Sequence, residues 1–435
     1  MYNISRIVSF ALIFDFMMIR FIRNHYYGIK SRIWWLLNKK KQKNALERLS
    51  GKKSIRCVFM ALYSSTWKYD KVYKLMMKNS RFEPIILVCP VVNRGRDHML
   101  ESMKECMDLY KAKGYKVICS YDESKDSYVD LLHDLQPDII FYTNPYKGLI
   151  DDRYFITNFP DVLSVYVPYC ITCSIDINFS TNLPMHNLVW RKYVEYDYNL
   201  QVCKKHAMNK GRNVVVTGFP GIEDFLQSVS VNKRSSANKK KRIIWAPHHT
   251  LESCIYGHSC FILYADYMLE MAKKYSDDLF FIFKPHPLLK IKLYDVWGKN
   301  KTDEYYSMWS NNPNTEISEG EYIDLFLSSD AMIHDSGSFV VEYLYVNKPV
   351  MRTINDFPLE EQFNDFALSC LDNYYKGYNE QDIEQFIQNV INGVDTMKEQ
   401  RTKFVNEVLM PKGSPSQNII DDILDSIDNQ ILYRN

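Results

Sequence analysis

No stretch of this sequence is both long and apolar enough to be read as a membrane span. Its most apolar run, Ile7 to Ile22, is short and carries Asp15 and Arg20, whereas a spanning helix needs about 20 apolar residues. The same two charges, and the want of small residues at a cleavage site, argue against a signal peptide. Cysteine is present but unpatterned. Ten are scattered without framework spacing, and the one close pair, Cys170 and Cys173, supplies only two of the four ligands a structural zinc site needs. That leaves reduced thiols as the reading. No HExxH spacing occurs, so no metal and no other cofactor is expected. There is no sequence repeat and no long low-complexity tract. Net charge is only +2, which by itself points to no partner.

What is present fits a folded α/β protein of more than one domain. The chain has 435 residues, 46% hydrophobic and 24% charged, enough for two or three cores at roughly 100–200 residues each. From Ser54 short apolar runs recur at Ile55–Ala61, Pro84–Cys89, Lys116–Ser120, Asp138–Tyr142, Leu163–Val167 and Asn213–Thr217. Helical patterns lie between several of them, such as Asp97–Lys113 with Met99, Met103, Met107 and Tyr110 on one stripe. Strands alternating with helices predict βαβ units and a mostly parallel sheet. The methionines read as core filler. Ser228–Arg242 is polar and basic and predicts a linker; its lysines lack interleaved aromatics, so no nucleic-acid role is expected. Beyond it the alternation restarts, with strands at 243–247, 279–284, 331–334 and 349–353 and helices at about 261–275, 322–329, 338–346 and from Gln381 onward. The expected architecture is α/β, with two Rossmann-like domains facing a central cleft and an N-terminal amphipathic helical extension. The expected divisions are 1–50, 51–227, a linker 228–242, 243–395 and 396–435.

The first fifty residues are different in kind. Arg20, Arg23, Lys30, Arg32, Trp34, Trp35 and Lys39–Lys41 flank the apolar run. Basic and aromatic residues beside an apolar stretch suit a helix lying on an anionic membrane surface, here through residues 1–45. A peripheral enzyme on the cytoplasmic face of the membrane follows as the expectation. A helix packed on the protein body is the alternative.

Three predicted strands of the second half end in ionisable residues: WAPHH (245–249), FKPHP (283–287) and HDSGS (334–338). In open α/β sheets ligands sit beyond the strands' carboxyl ends, so these ends are the candidate site. In HDSGSFVVE a helix is expected to start near Ser338, with Asp335, Ser336 and Ser338 as caps and Gly337 allowing close backbone approach. Free N–H groups at such a terminus bind phosphate. Glu342, a turn after Ser338, is placed to hold ribose hydroxyls. Pro285 and Pro287 stiffen the segment carrying Lys284 and His286, a cation and an imidazole suited to a diphosphate. His248 and His249 are adjacent on a segment read as extended, so at most one of the two is expected to enter the cleft directly.

The order GFPGIED (218–224), WAPHH, FKPHP and SDAMIHDSGSFVVEYLYVNKP (329–349) resembles the CDP-glycerol glycerophosphotransferase family of teichoic-acid and capsular-polysaccharide synthesis. The resemblance covers residues 213–352 well and implies a GT-B-like fold. It implies a transferase that moves glycerol phosphate from CDP-glycerol to a hydroxyl of a membrane-linked polyol phosphate or glycan, releasing CMP, in building the cell envelope. His286 would then contact the donor diphosphate, Ser336 and Ser338 would cradle phosphate beside Asp335, and Gly218, Pro220 and Asp224 would shape the domain junction. Asp330 would be structural or near the site. Two departures stand out. The family's late Trp-His-Gly element corresponds here to YVPYCITCS (166–174), without a histidine; His186 is the nearest substitute. The loop D-S-G-S is also similar to the D-S-G-G of UDP-N-acetylglucosamine 2-epimerases. A GT-B glycosyltransferase or epimerase-like enzyme using a nucleotide sugar, and a non-catalytic scaffold of capsule assembly, are the alternatives.

Overall fold

The computed structural model describes residues 33, 35–231, 240–251, 259–320 and 322–435. These form two compact units. The first comprises the described residues up to Tyr169, Asn178–Pro220 and Gly413–Asn435; the second comprises Cys170–Ile177 and the described part of Gly221–Lys412.

In the first unit the strands are β1 (Ile55–Ala61), β2 (Phe82–Val88), β3 (Val117–Cys119), β6 (Ile139–Tyr142), β7 (Leu163–Tyr166), β8 (Arg191–Val194) and β9 (Val214–Val216). They make one parallel sheet in the order β3-β2-β1-β6-β7-β8-β9. A small antiparallel pair, β4 (Tyr121–Asp122) and β5 (Ser127–Tyr128), stands apart. Parallel strands are covered by helices on both faces and therefore read as continuous apolar runs. Along β1, Cys57, Phe59 and Ala61 enter one core while Val58 and Met60 enter the other. Met99, Met103 and Tyr110 of the helix Arg96–Ala112 are buried in the first of these, as core filler.

In the second unit β10 (Lys241–Ala246), β11 (Leu279–Phe283), β12 (Thr315–Ile317), β13 (Ala331–His334), β14 (Val350–Thr353) and β15 (Tyr375–Gly377) form a parallel sheet ordered β12-β11-β10-β13-β14-β15. The chain thus starts at the middle of the sheet, builds outward to one edge, then returns to build the other. Its order reverses between β10 and β13, the place where doubly wound sheets open a crevice for ligands. Ile243, Trp245, Phe281, Phe283 and Ile333 pack there against the helices Phe261–Lys274 and Glu380–Ile391.

Several expected elements take other forms. Residues 228–231, expected as linker, continue the helix Glu223–Val231; residues 232–239 lie outside the described residues. The chain passes from the first unit to the second between Pro220 and Gly221, not at 228–242. The expected C-terminal group 396–435 is divided, because Pro415–Asp428 carries an apolar stripe, Ile419, Ile420, Ile423 and Ile427, that completes the core of the first unit. That helix is held by Arg191, fully buried in β8, whose guanidinium meets the Asp422 carboxylate at 2.9 Å. Strands β8, β12 and β15 are short and carry Arg191, Lys192, Glu316 or Lys376, so apolar runs do not mark them.

Residues 1–32 of the expected membrane segment lie outside the described residues. The part that is described, a helix over 35–49, packs on the first unit: Ala45, Leu46 and Leu49 are buried, and Asn38 and Gln42 donate to the Leu188 carbonyl. Among the described residues no helix is long and apolar enough to cross a membrane.

Candidate active site

All three ionisable strand ends belong to the second unit, and the sheet order brings them together. WAPHH leaves β10, FKPHP leaves β11 and HDSGS leaves β13, so the loops after three adjacent strands converge at the reversal between β10 and β13. His248, His249 and His286 form one cluster, with ring centroids 4.2 Å (His248 to His249), 4.1 Å (His249 to His286) and 4.9 Å (His248 to His286) apart. The expectation that at most one of His248 and His249 would enter the site is corrected here. Strand β10 ends at Ala246, and the backbone bends at His249, so the alternation of an extended strand no longer applies.

The bend is held by Asp335. This buried carboxylate accepts the His248 N–H at 2.5 Å, the Cys260 N–H at 2.6 Å and the Ser259 hydroxyl at 3.3 Å. Asp335 therefore ties the histidine loop to the start of the helix Phe261–Lys274. Burial pushes its pKa up, and the backbone donors together with nearby Arg352 work against that rise. His286 donates its own backbone N–H to the Pro247 carbonyl, and its Nδ1 accepts the Leu288 N–H at 3.1 Å. In the neutral ring the proton is then on Nε2, a donor. Burial, with the neighbouring His249, lowers the His286 pKa to about 4, so the neutral ring is the resting form. Burial also lowers His249, with Lys292 adding to the effect.

Lys284 is buried and its Nζ donates to the Gly320 carbonyl at 2.8 Å, pinning the loop beyond β12. Ser336 is buried, and its hydroxyl accepts the Ser338 N–H at 3.2 Å. The expected helix over 338–346 is corrected. Residues 338–341 are turns, and a single 3-10 helix follows at Glu342–Val346. The Tyr374 hydroxyl donates to the carbonyls of Val340 and Phe339 (2.8 and 3.2 Å), and the Leu344 N–H bonds Val341 rather than Val340. With β-branched residues at 340 and 341 as well, an α-helical start is disfavoured. The loop's N–H groups are thus presented by turns, and Glu342, half-buried, opens the 3-10 helix instead of standing one α-turn after Ser338.

Gly218 has φ +86°, a conformation that glycine adopts without penalty, and Pro220 and Asp224 flank the point where the chain leaves the first unit. Asp330 is structural: its carboxylate accepts the Arg242 N–H at 2.8 Å. His186, the nearest substitute for the histidine of the Trp-His-Gly element, is buried in the first unit with its ring against Tyr166 at 5.3 Å, and burial drives its pKa down. It is a core residue.

Sequence reasoning missed Arg352. It lies within β14, is fully buried, donates to the Ser336 carbonyl at 3.3 Å and lies over the Phe363 ring at 4.7 Å. A cation beneath the serine loop supplies positive potential where an anion would sit. The signal was available: an arginine inside the otherwise apolar strand VMRT.

Two doubly wound parallel sheets, with histidines and a hydroxyl-rich loop at the reversal of the second, define a GT-B-like fold with a site suited to a phosphorylated nucleotide donor. The family described as CDP-Glycerol:Poly(glycerophosphate) glycerophosphotransferase matches residues 190–424, and this chain belongs to it. It is a glycerophosphotransferase-like enzyme. Solved structures support the fold. The UDP-GlcNAc 2-epimerase of Neisseria meningitidis, bound to UDP-GlcNAc, is 15% identical, with TM-score 0.55 over 86% of this chain and 100% of that one. The UDP-GlcNAc 2-epimerase of Methanocaldococcus jannaschii is 11% identical, with TM-score 0.54 over 85% and 99%. The wall teichoic acid polymerase TagF, soaked with CDPG, is 14% identical, with TM-score 0.52 over 95% and 99%. No curated protein matches the chain.

Proposed function

We propose that this enzyme transfers glycerol phosphate from CDP-glycerol to a hydroxyl of a membrane-linked polyol phosphate or glycan, working peripherally at the cytoplasmic face of the membrane in cell-envelope polymer synthesis. The observation that carries the donor chemistry is the convergence of His286, the Ser336–Ser338 loop and buried Arg352 at the β10–β13 reversal, in a chain of this family. TagF, whose structure contains CDPG, shares the fold. In the reaction the acceptor oxygen attacks the β-phosphorus of CDP-glycerol, the bond from that phosphorus to the bridging oxygen breaks, and CMP leaves with the electron pair. The acceptor's proton passes to a base or to water. His286, neutral with its proton on Nε2, donates a hydrogen bond to a diphosphate oxygen; Ser336, Gly337 and Ser338 supply hydroxyl and backbone donors. Charge stabilisation and positioning carry such transfers, with no covalent intermediate required. Membrane contact is supported by the helix over 35–49 and its approach, where Ile33, Leu36 and Leu37 are exposed beside lysines.

The test is nucleotide release by purified protein given CDP-glycerol, UDP-sugars or CMP-sugars. CMP from CDP-glycerol, reduced roughly 100-fold or more in His286→Ala with an unchanged circular dichroism spectrum, is the expected result. Near-normal turnover by that variant overturns the role of His286. UDP release from a UDP-sugar moves the enzyme to the nucleotide-sugar reading that the D-S-G-S loop and the epimerase folds favour. Binding without turnover of any donor points to an acceptor missing from the assay or to a scaffold.

A further inference from the structure

The histidine cluster has a property that donor binding does not require. Among the described residues, His248, His249 and His286 form a group whose ring nitrogens, one from each, all lie within 4.8 Å of one another. We propose that these three imidazoles bind one divalent transition-metal ion, of the zinc or cobalt type, and leave part of its coordination sphere open.

Imidazole suits zinc, cobalt and nickel, and three protein nitrogens with an open position is the arrangement of metal sites that also take an exogenous oxygen ligand. Two of the three histidines are fixed through their backbones. The His248 backbone is fixed by Asp335, and its Nδ1 faces the Thr250 hydroxyl at 3.0 Å. With the proton on Nδ1 and the hydroxyl accepting, the lone pair of His248 is on Nε2, the usual second-shell orientation of a ligating histidine. His249 has a buried Nδ1 with no hydrogen-bond partner among the described residues, a cost that an ion would remove. His286 stands on the next strand end, its backbone bonded to Pro247. Its Nδ1 accepts the Leu288 N–H, so an ion that takes the Nδ1 lone pair replaces that bond and leaves the Nε2–H in place. Drawing the nitrogens in to the spacing set by metal–nitrogen bonds of about 2.0–2.1 Å is within the reach of side-chain rotation. Lys292 is the nearby charge that opposes the ion; the Asp335 carboxylate, bonded to the His248 backbone, favours it.

A zinc site was not expected, because these histidines lack HExxH-type spacing. The sheet order supplies the third ligand. The inference stands without the donor assignment, since metal binding is measured with no nucleotide present. Tag-free full-length protein is titrated with Co²⁺ and followed by its visible absorption, then exchanged with Zn²⁺ and assayed for metal content after dialysis. One equivalent is expected, with affinity falling at least about 100-fold in His249→Ala and in His286→Ala. His133→Ala, an exposed histidine outside the cluster, should bind as the parent does. Should either cluster variant fold poorly, His249→Gln, checked by circular dichroism, replaces it. No stoichiometric binding by the parent, or binding by folded His249 variants equal to the parent, overturns the proposal.

Discussion

Gly337 adopts a φ outside the left-handed region, and a Cβ added there would make only an ordinary 3.7 Å contact with Phe363. Nothing in the folded loop itself demands glycine, which leaves ligand approach as its reason. Gly337→Ala should therefore unfold within about 1 kcal/mol of the parent, while its KM for the donor rises severalfold; denaturant melts and steady-state kinetics check the two halves. A loss of stability with KM unchanged would reverse that assignment. A second single-residue effect lies in the first unit. Glu195 is fully buried, and desolvation pushes its carboxyl up to about 7, its own backbone N–H and Lys192 working against the rise. Below the ordinary value of 4.5 both folded and unfolded states are protonated. Between there and pH 7 the unfolded chain loses the proton and the folded one keeps it, so stability falls as pH rises, by roughly 3 kcal/mol in all, and is level above. Thermal melts from pH 5 to 8 should show this fall in the parent and its absence in Glu195→Gln.

At the scale of elements, the loops after β10 and β13 are joined by one carboxylate. Asp335→Asn keeps the shape but replaces an acceptor oxygen with an N–H₂ facing the His248 or Cys260 N–H. It should cost about 1–3 kcal/mol and loosen the histidine loop; hydrogen exchange at residues 248–250 and 259–261 should quicken there before elsewhere. Unchanged exchange would mean that the loops are held by other contacts. This joint shows what sequence reading reaches. That the apolar strands existed, and that HDSGS ended one of them, was legible because the apolar run Ala331–Ile333 of β13 lies between Asp330 and His334. That Asp335 turns onto the backbone of residues 87 and 75 positions away was not, since a carboxylate at a strand end reads equally as cap, ligand or brace. Nor was the non-helical start at 338–341, which depends on Tyr374 taking two carbonyls from a distant segment.

For the molecule as a whole, the last helix is the decisive element. Ile419, Ile420, Ile423 and Ile427 lie in the core of the first unit, and Asp422 accepts from buried Arg191 and from the Tyr193 hydroxyl. A chain ending at Lys412 would leave that apolar face exposed and the Arg191 charge buried without its carboxylate, a loss of at least about 3–5 kcal/mol from the ion pair alone. It should lose the first unit's near-ultraviolet circular dichroism and aggregate, whereas in the full chain Arg191→Met with Asp422→Leu together should destabilise less than the sum of the two single changes. Additive destabilisation would remove the pair from that role. The sequence by itself determined the class: alternating apolar runs and helical stripes dictate parallel α/β sheets, because only strands covered on both faces are apolar along their length. It also determined the family, through motifs that are local and carry their spacing with them. The tertiary structure alone decided which strand ends meet. Sheet order is set by which helices can cover which faces, and that order brings His286 to His248 and His249, sets Arg352 under the serine loop, buries His186 away from solvent, and returns the final helix to the first unit.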